Sequence, residues 1–166
     1  FQRPDQGRIL VDGNPLSLGS PRAALDRGIG LCAQHFLLAG ALTGAENILL
    51  GRPGCVGLRS LPAERIRRLT RLAEANGLEV PFDRPVEQLS VAEQERLEIL
   101  KLLERDCRIL VLDEPTSVLA PPEVAPLFAT LRRLAEEGRT ILLVTHRLAE
   151  VAEVADWVTV LRKGRV

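Results

Sequence analysis

Methionine is absent from the chain, even at position 1. The opening phrase "FQRPDQGRILVDG" reads as a loop running into a strand, so the expectation is an excerpt of a longer protein. An excess of either charge is absent too, because 22 basic residues balance 22 acidic ones. A basic surface for sequence-independent nucleic-acid binding is therefore not indicated. No apolar run approaches the ~18 residues that cross a bilayer, and no signal-peptide pattern opens the chain. Paired cysteines are missing as well. Cys32, Cys55 and Cys107 lie far apart, fit neither a disulfide framework nor a metal spacing, and read as reduced, partly buried thiols.

What is present suits one ordinary domain: 166 residues, 46% of them apolar. Short β-branched apolar runs alternate with helical patterns. "RILVDG" (Arg8 to Gly13) reads as a strand ending in an Asp-Gly turn, and "GIGLCA" (Gly28 to Ala33) as a second strand. From about Leu37 to Leu103 the pattern becomes helical. Ile66, Leu69, Leu72 and Ala73 share one helical face in Ala63–Leu78, which stops near Asn76-Gly77. A second helix spans Ser90 to Glu104, with Ser90 as N-cap and acids in the first turn. "RILVLDE" reads as a strand of a parallel sheet buried on both faces. A helix around Glu123–Glu136, a strand Thr140–His146, a short helix and a strand Trp157–Gly164 complete the chain. Strand–helix–strand alternation with a helical insertion predicts an α/β core plus a helical subdomain.

Open α/β sheets bind ligands beyond the carboxyl ends of their strands. Three such ends carry polar groups: Gln34, the pair Asp113-Glu114, and His146. Burying a carboxylate without a partner costs several kcal/mol, so two adjacent acids at the end of the most apolar run call for a ligand. An Asp there suits magnesium bound through water. The adjacent Glu can polarise a water for attack on a terminal phosphate, a Gln can orient that water or the metal, and a His can donate to developing phosphate charge. Each signal alone is weak, since strand-end acids usually cap turns and a lone His is usually structural. All three in succession are hard to dismiss.

Four ordered motifs make the pattern specific. "LSVAEQERLEIL", "ILVLDEPTSVL" and "LLVTHRL" resemble the signature motif, Walker B segment and switch histidine of ATP-binding cassette (ABC) ATPases, and "AQHFLL" resembles their Q-loop. The "LSVxEQ" form, "TSVLAPPE" and the ending "ADWVTVLRKGRV" resemble the first cassette of tandem-cassette importers for nucleosides and simple sugars. The resemblance covers essentially the whole chain. It implies an α/β, P-loop NTPase-like ABC core with a mainly parallel sheet, its N-terminal part missing. About 1–36 and 104–166 would form that core and about 37–103 the helical subdomain.

For the site, the resemblance implies catalytic roles for Glu114 (general base), His146 (γ-phosphate sensor) and Gln34. Asp113 and Gln34 would hold Mg2+, and Ser90, Ala92 and Glu93 would meet the ATP of an opposing cassette. It implies transmembrane permease subunits, a second cassette and an extracytoplasmic solute-binding protein as partners, no nucleic acid, and a peripheral place on the cytoplasmic face of the plasma membrane. No "GxxxxGK[ST]" phosphate loop occurs in the chain. In the family that loop precedes the position of Phe1, so this excerpt is expected to bind ATP poorly. Three positions depart from the family pattern: Ala92 replaces a signature glycine, Glu95 a glutamine, and Ala120 the D-loop aspartate. The extra Cβ of Ala92 is expected to crowd the opposing nucleotide. Two rival readings are a degenerate, noncatalytic cassette and a non-transport ABC ATPase. The retained Glu114 weighs against the first, and the lack of heptads and cysteine pairs against the second.

Overall fold

A computed structural model describes residues 6–51 and 61–166; Cys55 lies outside the described residues. The first element is a small hairpin, β1 (Leu10–Val11) against β2 (Asn14–Pro15). Asp12 and Gly13 close it with φ of 52° and 76°, the left-handed pair that a tight two-residue hairpin requires. A short helix α1 (Pro21–Asp26) follows, capped by Ser20, and leads into β3 (Ile29–Cys32).

The chain then leaves the sheet for a helical excursion. Thr43 and Glu46 form a capping box on α2 (Gly44–Leu49). Buried Asn47 folds the preceding loop onto it: its amide donates to the carbonyls of Ala39, Leu42 and Thr43 and accepts from the Ala39 N–H. Helix α3 (Ala63–Asn76) ends at Gly77, whose φ of 59° terminates the helix where the Asn-Gly signal predicts. Leu69 and Ala73 are buried, and Ile66 and Leu72 pack against the same core, as their spacing predicts. A 3₁₀ turn at Val86–Gln88 precedes α4 (Val91–Glu104).

Helix α4 is the pillar of the molecule. It packs on α2, α3 and β3, and Leu97, Ile99 and Leu100 are fully buried. The approach to β3 is so close that a Cβ on Gly30 would lie 2.8 Å from Leu102 Cδ2 and 2.9 Å from Cys107 Sγ. Only glycine fits there without displacement.

The chain returns to the sheet as β4 (Ile109–Asp113), continues through α5 (Pro121–Glu136) to β5 (Thr140–Val144), and ends with α6 (Leu148–Val154). The sheet is parallel in the order β3-β4-β5, with Cys32 level with Leu112 and Asp113 level with Val144. Leu127, Phe128, Leu131 and Leu134 recur at helical spacing along α5 and are buried in the core. Arg133 of α5 donates to the carbonyls of Ala75 and Asn76, satisfying the C-terminal end of α3 and tying the helical part to the sheet.

Two expectations are corrected. Strand β4 is not buried on both faces: Leu110 and Leu112 are buried, whereas Ile109, Val111 and Asp113 are half-buried, and Leu31, Leu142 and Val144 are exposed. Helices cover one face of the sheet; the other carries apolar side chains without full cover. Residues Trp157–Gly164 form no strand. They lie exposed, with only an Arg162–Arg165 bridge around the Lys163-Gly164 turn. Alternating apolar residues make a strand only when a neighbouring edge accepts their hydrogen bonds, and no described strand offers one.

Candidate active site at the carboxyl ends of the sheet

The three parallel strands bring their polar ends to one edge. Strand β4 ends at Asp113, and Glu114 extends the ladder by one bond, its backbone N–H donating to Val144 O at 2.9 Å. Glu114 then takes φ of 49°, a left-handed conformation that non-glycine residues rarely adopt. Such strain of about 1–2 kcal/mol persists only where surroundings fix it. Here it is associated with a carboxylate turned toward its two neighbouring strand ends. Glu114 Oε1 lies 3.0 Å from His146 Nδ1, and Glu114 Oε2 accepts from Gln34 Nε2 at 3.2 Å. Three residues drawn from three strand ends thus meet at one carboxylate. The His146 side chain is 69% exposed and that of Glu114 28%, so the group opens to solvent and to a ligand.

Asp113 is half-buried beside this group, and among the described residues its carboxylate has no hydrogen-bond or ion-pair partner. The amide of Gln34 uses its nitrogen on Glu114, which leaves its oxygen free. Hard oxygen donors of this kind suit Mg2+, which keeps most of its waters and takes few protein ligands. Among the described residues no group of three or more His, Cys, Asp or Glu gathers into a metal cage. The donor set fits a metal shared with a phosphate better than a closed protein site.

The signature residues stand elsewhere, at the N-terminus of α4. Ser90 and Glu93 form a reciprocal capping box: the Ser90 hydroxyl accepts from the Glu93 N–H, and the Glu93 carboxylate accepts from the Ser90 N–H at 2.7 Å. Ala92 is buried, whereas Val91 is exposed. The exposed apolar side chain at this helix start is that of Val91. Gln34, Asp113, Glu114 and His146 gather at one place; Ser90, Ala92 and Glu93 do not join them.

Between these two places a groove of about 430 Å³ is lined by Gln34, Phe36, Leu38, Val86, Val91 and Val118, among others. Beneath it α4 holds the segment after Gln34. Glu98 Oε1 accepts from the Leu37 N–H at 2.7 Å, while Lys101 pairs with Glu98 at 2.8 Å and donates to Leu37 O. Deeper still, Cys32 Sγ donates to Glu95 Oε1 at 3.5 Å. Burial pushes the Glu95 carboxyl up to about 7, and burial with the nearby Glu95 and Glu98 pushes the Cys32 thiol far above its ordinary value.

Sequence reasoning missed a second layer. Glu150 is buried, and it accepts from Thr116 Oγ1 at 2.6 Å, Thr145 Oγ1 at 2.8 Å and Arg147 Nη1 at 3.2 Å. Burial alone raises this carboxyl, but the three hydrogen bonds and the Arg147 charge outweigh it and hold the group below its ordinary value. The available signal was a Thr two positions beyond Glu114 and a Glu four beyond His146, both next to apolar residues.

A parallel α/β sheet with polar residues gathered at its carboxyl ends defines the class, and comparison with known proteins gives the family. The model described as ABC transporter matches residues 1–117, and the chain belongs to that family. Among its relatives, the nucleoside import ATP-binding protein NupA of Lactococcus lactis is 40% identical over 162 residues, covering 98% of this chain and 32% of its own length. The ribose import ATP-binding protein RbsA 3 of Rubrobacter xylanophilus is 42% identical over 166 residues, covering 99% and 33%. The chain thus spans about a third of the length of these curated relatives. A nucleotide-free ATP-binding cassette from an ABC transporter superposes with a TM-score of 0.78 at 25% identity, over 93% of this chain and 65% of that one. A dimeric post-hydrolysis cassette bound to ADP and Pi gives 0.70 at 26% identity, over 90% and 66%. The α/β parallel-sheet architecture is that of the ABC ATPase, and membership of the family implies ATP binding.

Proposed function

We propose that this chain is part of the ATP-hydrolysing subunit of an importer for a nucleoside or simple sugar. The observation that carries the reading is the meeting of Gln34, Glu114 and His146 at one carboxylate next to Asp113. In this reading Glu114 takes a proton from the attacking water, and His146, held against Glu114 Oε1, donates to charge developing on the transferred phosphate. Gln34 orients Glu114 and offers its amide oxygen to the metal. Asp113 and Gln34 would hold Mg2+, which supplies charge neutralisation on the phosphates when bound. The pairing of Glu114 with His146 favours a catalytic cassette over a degenerate one.

The relatives' names support a transport role. The partners are transmembrane permease subunits, a second cassette meeting Ser90, Ala92 and Glu93, and an extracytoplasmic solute-binding protein. The groove between Gln34 and the start of α4, lined from both the strand-end loops and the helical subdomain (about 37–103), is the surface that faces the permease. Among the described residues no helix is long and apolar enough to cross a membrane. Peripheral attachment at the cytoplasmic face belongs to the same proposal.

The test uses the full-length protein. Glu114→Gln should leave ATP binding intact and slow hydrolysis by roughly two to four powers of ten, the usual loss for a general base. Wild-type turnover in this variant would remove Glu114 from the reaction.

A further inference from the structure

Glu114 and His146 meet across two separate stretches of chain, each at the start of a loop. Side chains on loops hold a reactive geometry only if something else fixes the backbone. Gln34 fixes one oxygen of Glu114, but nothing in that contact fixes His146, whose side chain is mostly exposed.

The buried carboxylate behind them does so. Glu150 Oε1 accepts from the hydroxyl of Thr116, on the loop that leaves Glu114. Its other oxygen accepts from the hydroxyl of Thr145, the residue immediately before His146. Arg147, immediately after His146, donates from one guanidinium nitrogen to both Glu150 Oε1 and the backbone carbonyl of Thr116, at 3.2 and 3.3 Å. The Thr145 hydroxyl in turn accepts from the Arg147 backbone N–H at 3.1 Å. His146 is therefore gripped from both chain neighbours, and the same carboxylate grips the Glu114 loop. Thr116 is 1% exposed and Glu150 6%, so neither has water as a substitute partner.

We propose that Glu150, acting through Thr116, Thr145 and Arg147, is a positioning residue that sets the register of His146 against Glu114. The proposal rests on the ATPase reading for its kinetic consequence, not for its geometry. Glu150 touches neither reacting group. It determines where both stand.

Thr116→Val is the cleanest probe, because it keeps shape and removes one hydroxyl, and it serves where Glu150→Ala fails to fold. In the full-length protein, Thr116→Val and Glu150→Ala should lower kcat about 10- to 100-fold, the scale of a small misplacement, with KM for ATP nearly unchanged. Thr116→Ser, which restores the hydroxyl, should recover most of the loss. A second readout needs no turnover. In histidine-labelled protein the imidazole ¹⁵N resonances of His146, assigned by their loss in His146→Gln, should respond strongly to Glu114→Gln. That response should shrink or vanish in the Thr116→Val background, as a double-mutant cycle would show. Wild-type kcat in Thr116→Val, or an undiminished response of His146 to Glu114→Gln in that background, would overturn the proposal. If the wild-type protein hydrolyses no ATP, the functional reading fails and the resonance cycle still decides the positioning claim.

Discussion

Glu95 illustrates how one buried carboxyl writes itself into the pH dependence of the whole fold. It is 3% exposed, it accepts a weak bond from Cys32 Sγ, and burial lifts it from about 4.5 to about 7. A carboxyl whose folded value lies above its unfolded one binds its proton more tightly in the native state. Its favourable contribution is complete below pH 4.5 and is lost as the pH rises through about 7. Every tenfold difference in proton affinity between the folded and unfolded chain corresponds to about 1.4 kcal/mol, so the loss between these limits is on the order of 3 kcal/mol. Glu95→Gln, neutral at every pH, should be the more stable protein at pH 8 by about 2–3 kcal/mol and should lose most of that advantage near pH 5. Chemical denaturation at the two pH values measures this. Equal pH slopes in both proteins would exclude Glu95 as the source. Glu150 acts in the opposite sense and in a lower window, because its folded value is depressed: its contribution is lost only as pH falls below the ordinary carboxylate range.

At the scale of elements, the start of α4 separates two effects that the sequence runs together. Ser90 caps the helix with its hydroxyl, so Ser90→Ala should cost about 1 kcal/mol. Ala92 is buried in the first turn, so Ala92→Gly should also destabilise, by about 1 kcal/mol. Thermal unfolding and ATPase rates together check both, and a faster Ala92→Gly protein would mean that the methyl does crowd the opposing nucleotide. Helices α3 and α4 were legible because caps, stop signals and apolar spacing agreed over whole turns. The strand ends at Gln34, Asp113-Glu114 and His146 were legible because polar residues terminate apolar runs. Trp157–Gly164 misled because its alternation is real but its pairing edge is missing. The grip of Glu150 on Thr116 was illegible for a different reason. The two residues are 34 positions apart and meet only through the packing of α6 against the loop after β4.

For the molecule as a whole, Glu114, His146 and Gln34 are assembled at one edge of the sheet, but no glycine-rich phosphate loop occurs in the 166 residues. Backbone N–H nests and a lysine normally carry the phosphates of such sites. The 166-residue chain alone should therefore show no measurable magnesium-dependent ATP hydrolysis, whereas a longer chain that supplies the loop should show it. Hydrolysis by the shorter chain would mean that the strand-end residues hold the nucleotide unaided.

The seam between β3 and α4 has a further consequence, for kinetics of opening. Cys32, on β3 with Gly30, and Cys107, whose sulfur lies close to Gly30, are both buried free thiols, and burial raises both above the ordinary thiol value. Thiolate is the reactive form, so neither sulfur meets an alkylating reagent while the seam is shut. Their modification under native conditions is then a clock for the parting of the sheet from its central helix. A ligand that closes the strand-end site should slow that clock, and one that merely binds the surface should leave it running at its own pace.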